Sequence, residues 1–271
     1  MKTCDIIGIS DSHKQYFPPE ITDIIKSGSV FSGGKRHHEI VASLLPAGAV
    51  WIDITVPLEQ VFRQYERHDH IVIFASGDPL FFGFANTVKR QYKDVRMRVF
   101  PTFNSLQLLA HRLLMPYHDM RIVSLTGRPW HEFDRALIER AFKIGILTDR
   151  EHTPSAIASR MIEYGYKNYT MYVGEHLGNP DEENVKELSL KQASESEFPV
   201  PNCVIVVAGD NTGTSAQQGE PYTTLRYGIP DKEFTLLDGR EKMITKMPVR
   251  LLTLQALDLT NRKVFWDIGF C

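Results

Sequence analysis

Residues 71–86 read IVIFASGDPLFFGFAN, an apolar run that ends in Ser76-Gly77-Asp78-Pro79. This pattern puts a turn at the carboxyl end of a buried strand, the place where open α/β sheets receive ligands. Gly77 lets a ligand reach the backbone with no Cβ in the way, and Asp78 is able to cap a helix starting near Pro79 or to attract a cation. Taken alone, the same residues also suit a plain strand-to-helix turn. Three further glycine-bearing segments, Gly8-Ile9-Ser10-Asp11, Thr126-Gly127-Arg128-Pro129 and Gly174-Glu175-His176-Leu177-Gly178, follow other apolar runs. Each by itself is compatible with an ordinary turn; together, at the ends of successive strands, they would converge on one crevice. The basic run Lys35-Arg36-His37-His38 follows Ser32-Gly33-Gly34. It is either a solvated surface turn or a site for a polycarboxylated ligand, since arginine binds carboxylates through two parallel hydrogen bonds.

Other chemistries lack their residues. There is no GxGxxG fingerprint and no GxxxxGK[ST] loop, which disfavours nicotinamide binding and nucleotide hydrolysis. No GxSxG elbow occurs and no cysteine lies beside a candidate base, so nucleophilic catalysis has no visible support. The ten histidines form no metal set: His37 and His38 are adjacent, His68 and His70 flank Asp69, and HExxH is absent. We therefore expect no protein-bound metal. Lys and Arg number 31 against 33 Asp and Glu, a net charge of -2, so no domain-wide basic field would hold a nucleic acid by counterion release. Cys4, Cys203 and Cys271 are dispersed, without a CxxC pair, and read as reduced thiols in a cytosol. The N-terminus has no signal-peptide core, and no window approaches ~18 uninterrupted apolar residues. The expectation is a soluble cytoplasmic protein with no membrane partner.

These segments need elements to hold them. Apolar, β-branched runs from Asp5 to Ile9, Ile71 to Ala75, Val95 to Phe100, Arg121 to Leu125, Ile144 to Thr148, Thr170 to Val173 and Cys203 to Ala208 read as strands. Between them, Leu106, Leu109 and Leu113, and Ile157, Met161 and Tyr164, recur at helical spacing and place each set on one helix face. Thr153 as cap, Pro154 at the first helical position and Gly165 past the end frame the second of these helices. The alternation predicts an α/β fold. From Asp210 to Tyr222 the composition turns to Asn, Thr, Gly, Ser, Gln and Pro, and a domain boundary is expected there. Val249, Leu252 and Ala256 then suggest another helix, and Val264 to Ile268 another strand.

In this order the landmarks resemble the tetrapyrrole methylase family, and within it the branch that methylates carbon 5 of the corrin precursor in cobalamin synthesis. They are Ser32 to His37, Ala75 to Gly83, Asn104 to Leu108, Ser124 to Pro129, Leu147 to Asp149 with Thr153-Pro154, and Glu175 to Gly178. The sequence departs from the pattern at Gly8-Ile9-Ser10-Asp11, where relatives usually have a second glycine, and at Thr126, where the branch often has histidine. Beyond the boundary, Tyr227 to Asp231, Met243 to Lys246 with Val249-Arg250, and Val264 to Gly269 resemble the start of a carbon-15 methylating, decarboxylating domain.

The resemblance implies a two-lobed fold over residues 1–210, with S-adenosylmethionine in a cleft between the lobes. A linker over 211–222 and an incomplete Rossmann-like methyltransferase fragment over 223–271 would follow, leaving the carbon-15 activity incomplete. By the same resemblance Gly77, Asp78, Leu80, Ser105, Leu106, Thr126, Gly127 and Leu177 would bind the cofactor. Arg36, His37 and Arg128 would pair with the acetate and propionate groups of a precorrin or cobalt-precorrin substrate. No catalytic base is singled out, because methyl transfer from a sulfonium to an electron-rich carbon needs positioning and exclusion of water more than a protein nucleophile. A homodimer is also implied. Two alternatives stay open: a tetrapyrrole methylase acting at another ring carbon, and a non-catalytic scaffold that binds these ligands without transfer.

Overall fold

The computed structural model describes residues 2–209 and 245–257. The chain divides into two compact units, Met1–Thr212 and Gly213–Cys271.

The first unit starts with β1 (Thr3–Ile9), whose alternation feeds two cores at once. Cys4 and Ile6 point into one apolar cluster, Ile7 and Ile9 into another on the opposite face of the sheet. A strand buried on both faces needs parallel neighbours with helices on each side, and that is the arrangement found. α1 (Pro19–Ser27), β2 (Val30–Gly33), α2 (Lys35–Val41), β3 (Val50–Asp53), α3 (Leu58–Tyr65), β4 (His70–Ser76), α4 (Phe84–Gln91) and β5 (Arg96–Phe100) follow in turn. The five strands form a parallel sheet of order β3-β2-β4-β1-β5. α3 and α4 cover one face through Val61, Phe62, Tyr65, Ala85 and Val88; α1 and α2 cover the other through Ile24, Ile25, Ile40 and Val41. Each of the Val, Ile and Phe side chains contributes about 1.5 to 3 kcal/mol when fully buried.

One polar group interrupts this interior. Asp5 is fully buried, with Arg98 donating to both of its carboxylate oxygens (2.6 and 2.8 Å) and His70 in contact at 2.8 Å. Burial by itself would raise its pKa; the bonds from Arg98 and His70 outweigh burial and hold it below the ordinary carboxylate value.

The second lobe of the same unit contains α5 (Ser105–Arg112), β6 (Arg121–Ser124), α6 (His131–Ile138), β7 (Lys143–Leu147), α7 (Pro154–Glu163), β8 (Tyr169–Glu175), β9 (Asn184–Ser189), α8 (Leu190–Ser194) and β10 (Asn202–Ala208). The strand order is β6-β7-β10-β8-β9, with β10 antiparallel to both β7 and β8. α6, α7 and α8 pack on one face, while α5 buries Leu106, Leu109 and Ala110 against Cys203 and Ile205 on the other. In the second unit, α9 (Met247–Leu257) occupies the expected helical segment, with Val249 and Leu252 exposed.

All seven expected strands are present within the first unit. α7 has the expected ends: the Thr153 hydroxyl accepts from the Ala156 N–H, Pro154 is the first helical residue, and Gly165 has φ +82. Tyr164 ends that helix 55% exposed, off the apolar face where it was expected. Three strands went unpredicted. β2 and β3 are only four residues each, and β9 is a polar edge strand. The helix expected from Pro79 starts instead at Phe84. Asp78 accepts the Leu80 N–H on its side chain (2.8 Å) and the Phe81 N–H on its carbonyl (3.0 Å), and Phe82 has φ +54, so the chain makes a tight turn first. The basic run is not a surface turn, since Lys35 opens α2. The linker 211–222, the landmarks at 227–231 and the strand at 264–268 lie outside the described residues.

Candidate functional site

The carboxyl ends of β1, β2 and β4 lie side by side at the point where the order of the first sheet reverses direction. Gly77 connects the turns after β1, β4 and β5: its N–H donates to the Ile9 carbonyl (2.9 Å) and its carbonyl accepts from the Thr102 N–H (3.2 Å). A Cβ on Gly8 would stand 2.0 Å from the Gly77 carbonyl oxygen, and one on Gly77, at φ +61, 2.8 Å from Asn104 Cα. The turns after β1, β4 and β5 are therefore nested at backbone contact. Asn104 ends this nest by capping α5, accepting from the Gln107 N–H at 2.9 Å, while the Gln107 side chain accepts from the Asn104 N–H at 3.0 Å.

The second lobe offers the matching edge, made of the carboxyl ends of β6, β7 and β8 and the start of β10. Thr126 Oγ1 donates to the Thr148 carbonyl (3.1 Å), and Thr148 Oγ1 reaches the Asn202 carbonyl (2.6 Å). Asp149 fixes the turn after β6 by accepting the N–H groups of Gly127 (2.8 Å), Glu151 (2.9 Å) and His152 (2.7 Å). Burial would raise this carboxyl, but the backbone donors at His152, Gly127 and Glu151 and the His152 ring prevail and lower it to about 2.

Between the two edges lies a cleft of ≈ 520 Å³, within the range of sites for cofactors and other small ligands. Its apolar wall includes Ile9, Phe74, Phe81, Phe82, Phe103 and Leu177, and its polar groups include Ser76, Asn104, Ser105, Thr126, Thr148 and Asn202. Below Ser105 sits Cys203, fully buried, its thiol pushed by burial up to about 12 against a small opposing effect of the Ser105 hydrogen bond. Cys4, in the other sheet, is raised to about 11, again chiefly by burial.

Charge is concentrated at one end. Asp11 accepts from Arg36 Nη1 at 2.6 Å and contacts His176 Nδ1 at 3.2 Å, joining the two lobes. The Arg36 Nη2 group donates to Ser76 Oγ at 2.9 Å. His37 lies beside it, with the Gly34 N–H donating to Nδ1 (3.2 Å) and Nε2 2.9 Å from Ser76 Oγ. A backbone N–H only donates, so Nδ1 carries no proton, and neutral His37 must donate from Nε2. Ser76 Oγ thus accepts from Arg36 and stands in hydrogen-bond contact with His37. Burial first, then the adjacent Arg36 charge, lowers His37 to about 4. At neutral pH His37 supplies a hydrogen bond and no charge. Among the described residues no group of three or more His, Cys, Asp and Glu is arranged for a metal ion, and no helix is long and apolar enough to cross a membrane.

Residues 1–194 match the family Tetrapyrrole (Corrin/Porphyrin) Methylases. The chain belongs to the tetrapyrrole methylase family. It is 31% identical over 267 residues to a precorrin-6Y C(5,15)-methyltransferase [decarboxylating] of Sinorhizobium sp, covering 97% of this chain and 61% of that relative. The chain therefore spans about three fifths of that relative's length. A cobalt-precorrin-7 C(5)-methyltransferase of Salmonella typhimurium is 26% identical over 181 residues, covering 65% of this chain and 86% of the relative. Two solved structures share the fold. The precorrin-6Y methylase of Archaeoglobus fulgidus has a TM-score of 0.56 at 19% identity, covering 77% of this chain and 98% of that one. The uroporphyrin-III C-methyl transferase of Thermus thermophilus, complexed with S-adenyl homocysteine, has 0.58 at 20%, covering 76% and 92%.

In this tetrapyrrole methylase, six of the eleven residues singled out from the sequence line the cleft: Gly77, Ser105, Thr126, Leu177, Arg36 and His37. Asp78 faces a neighbouring hollow with Pro101, Thr102, Phe103 and Gln107, and Leu80 is 49% exposed beyond it. Leu106 is buried under α5, where it packs the helix onto the second sheet. Gly127 is tied to Asp149, and Arg128 is held by Ser124 Oγ (2.6 Å) with its guanidinium 5.2 Å from the Phe82 ring centroid. Sequence reasoning missed Asp11, Ser76 and Phe82 as site residues. Ser76 and Phe82 lay inside the segment first noticed, so their position at a strand end was the available signal; nothing near Asp11 in sequence announces its partner His176.

Proposed function

We propose that residues 1–210 form an S-adenosylmethionine-dependent C-methyltransferase acting at carbon 5 of a precorrin-7-type or cobalt-precorrin macrocycle in cobalamin biosynthesis. The observation that carries this reading is the similarity to the cobalt-precorrin-7 C(5)-methyltransferase, which extends over 86% of that enzyme. The similarity to the two-activity relative over 97% of this chain supports treating 211–222 as a linker and 223–271 as the N-terminal part of a second methyltransferase domain. A cytoplasmic homodimer belongs to the same reading.

The cleft suits such a donor. Gly77 brings bare backbone to its floor, Ser105 and Thr126 offer hydroxyls, and Leu177 and Ile9 supply apolar wall. The bound cofactor would supply an electrophilic methyl group on a sulfonium. Gly77, Ser105, Thr126 and Leu177 would face it directly, while Asp78, Leu80, Leu106 and Gly127 shape the turns that carry them. Arg36 and Arg128 would pair with carboxylate arms of the acceptor, with Ser76, oriented by His37, adding an uncharged hydrogen bond. With both ligands bound, the phenylalanines lining the cleft would shield the reacting carbon from water, and the residues named above would position donor and acceptor without a competing nucleophile.

The test is mass spectrometry of the purified chain incubated with isotope-labelled S-adenosylmethionine and the carbon-15-methylated, decarboxylated precorrin. Gain of one labelled methyl at carbon 5 is expected. Label at another ring carbon, or none, would overturn the assignment.

A further inference from the structure

Phe82 occupies a backbone conformation that bulky L-residues disfavour: its φ is +54, in the left-handed region. Core burial does not explain the choice, because the residue remains 45% exposed and lines the cleft. Phe81 meets its ring edge-on, with centroids 5.2 Å apart, and so steadies its orientation. From the second lobe Arg128 comes within 5.2 Å of the ring centroid, and Arg128 is itself anchored at 2.6 Å to Ser124 Oγ. The result is an exposed apolar ring with a fixed cation held over one of its faces, at a turn whose own geometry works against placing a ring there.

We propose that Phe82 is the platform on which the methyl acceptor lies, the face of its ring that Arg128 does not cover set against the flat face of the macrocycle, with the Arg128 guanidinium behind the ring meeting a carboxylate arm at the macrocycle's edge. An aromatic ring next to a guanidinium complements a ligand that is flat and apolar in the middle and anionic at its rim. The occupant rests on the reading of the acceptor given above; the platform itself rests on the strained, exposed ring and its cation. A ring kept only to join the two lobes through Arg128 is the competing role, and the two roles differ in what removal of the ring does to stability.

Phe82→Gly separates them, since glycine accepts positive φ and loses only the ring. Steady-state methyl transfer, S-adenosylhomocysteine calorimetry and thermal unfolding are measured on the full chain, its Phe82→Gly variant and its Phe82→Tyr variant. The platform predicts an acceptor KM raised about tenfold in Phe82→Gly, with a KM in Phe82→Tyr near the original and unchanged S-adenosylhomocysteine affinity. It also predicts a Tm in Phe82→Gly that is equal to or above that of the unaltered chain, because strain is relieved. An unaltered KM in Phe82→Gly, or a lowered Tm accompanied by weakened S-adenosylhomocysteine binding, overturns the platform. Absence of transfer by the unaltered chain removes the acceptor reading and the platform's occupant together, and is recognised before any variant is made.

Discussion

At His37, burial and the Arg36 guanidinium act in the same direction, and both oppose a second positive charge. The ordinary value of 6.5 is lowered to about 4 in the folded chain. Between those pH values the unfolded chain binds a proton that the folded chain refuses, so stability falls as pH drops through this window and levels off below it. Above 6.5 both states are neutral at this site and it contributes no pH dependence. Urea unfolding at pH 7 and at pH 4.5 should therefore show a larger loss of stability in the unaltered chain than in His37→Gln. Equal losses would mean that the ring is already charged in the folded state. The same neutrality distinguishes His37 from Arg36 as an acceptor contact, since only the arginine brings a permanent charge to a carboxylate.

At the scale of elements, the cleft floor depends on three turns packed at backbone distance. Gly8→Ala forces its Cβ to within 2.0 Å of the Gly77 oxygen, and that neighbour is main chain hydrogen-bonded on both sides. We expect a loss of about 1 to 3 kcal/mol in urea unfolding, the usual cost of overpacking, together with weaker S-adenosylhomocysteine binding by calorimetry. A variant with intact stability and binding would show that the nest is looser than its geometry. Elements were legible in the sequence where local chemistry decided them. Thr153, Pro154 and Gly165 set the ends of α7, and β-branched runs buried on both faces announced β1, β4 and β10. The start of α4 was not legible, because Pro79 in a plausible first-turn position competes with an Asp78 side chain that closes a turn instead. β2, β3 and β9 escaped for a related reason: VFSG and VWID lack the adjacent β-branched pair that marks the equally short β6, and the polar edge strand β9 takes its structure from neighbours rather than from its own periodicity.

At the scale of the whole first unit, the site exists only where two sheets of different topology bring their strand ends together. That is why four strand-end turns could be named in advance while the contact between Asp11 and His176, 165 residues apart, could not. Leu106 was misleading in a similar way. Its neighbour Ser105 faces the cleft, and the helical turn carries Leu106 into the core. A donor lined by Gly77 on one lobe and Thr126 and Leu177 on the other would bind the folded unit and not the unfolded chain. S-adenosylhomocysteine at 100 times its dissociation constant should then stabilise the unit by about 2.7 kcal/mol. Unfolding curves that superimpose with and without it would favour a fold that no longer holds the donor. Such a donor is an alkylating agent, and a thiolate within its reach would be consumed by it. The sulfur of Cys203 lies under Ser105, yet its enclosure keeps it protonated. On the proposed reading that enclosure would keep the protein from modifying itself and would reserve the methyl group for whatever enters from the open side.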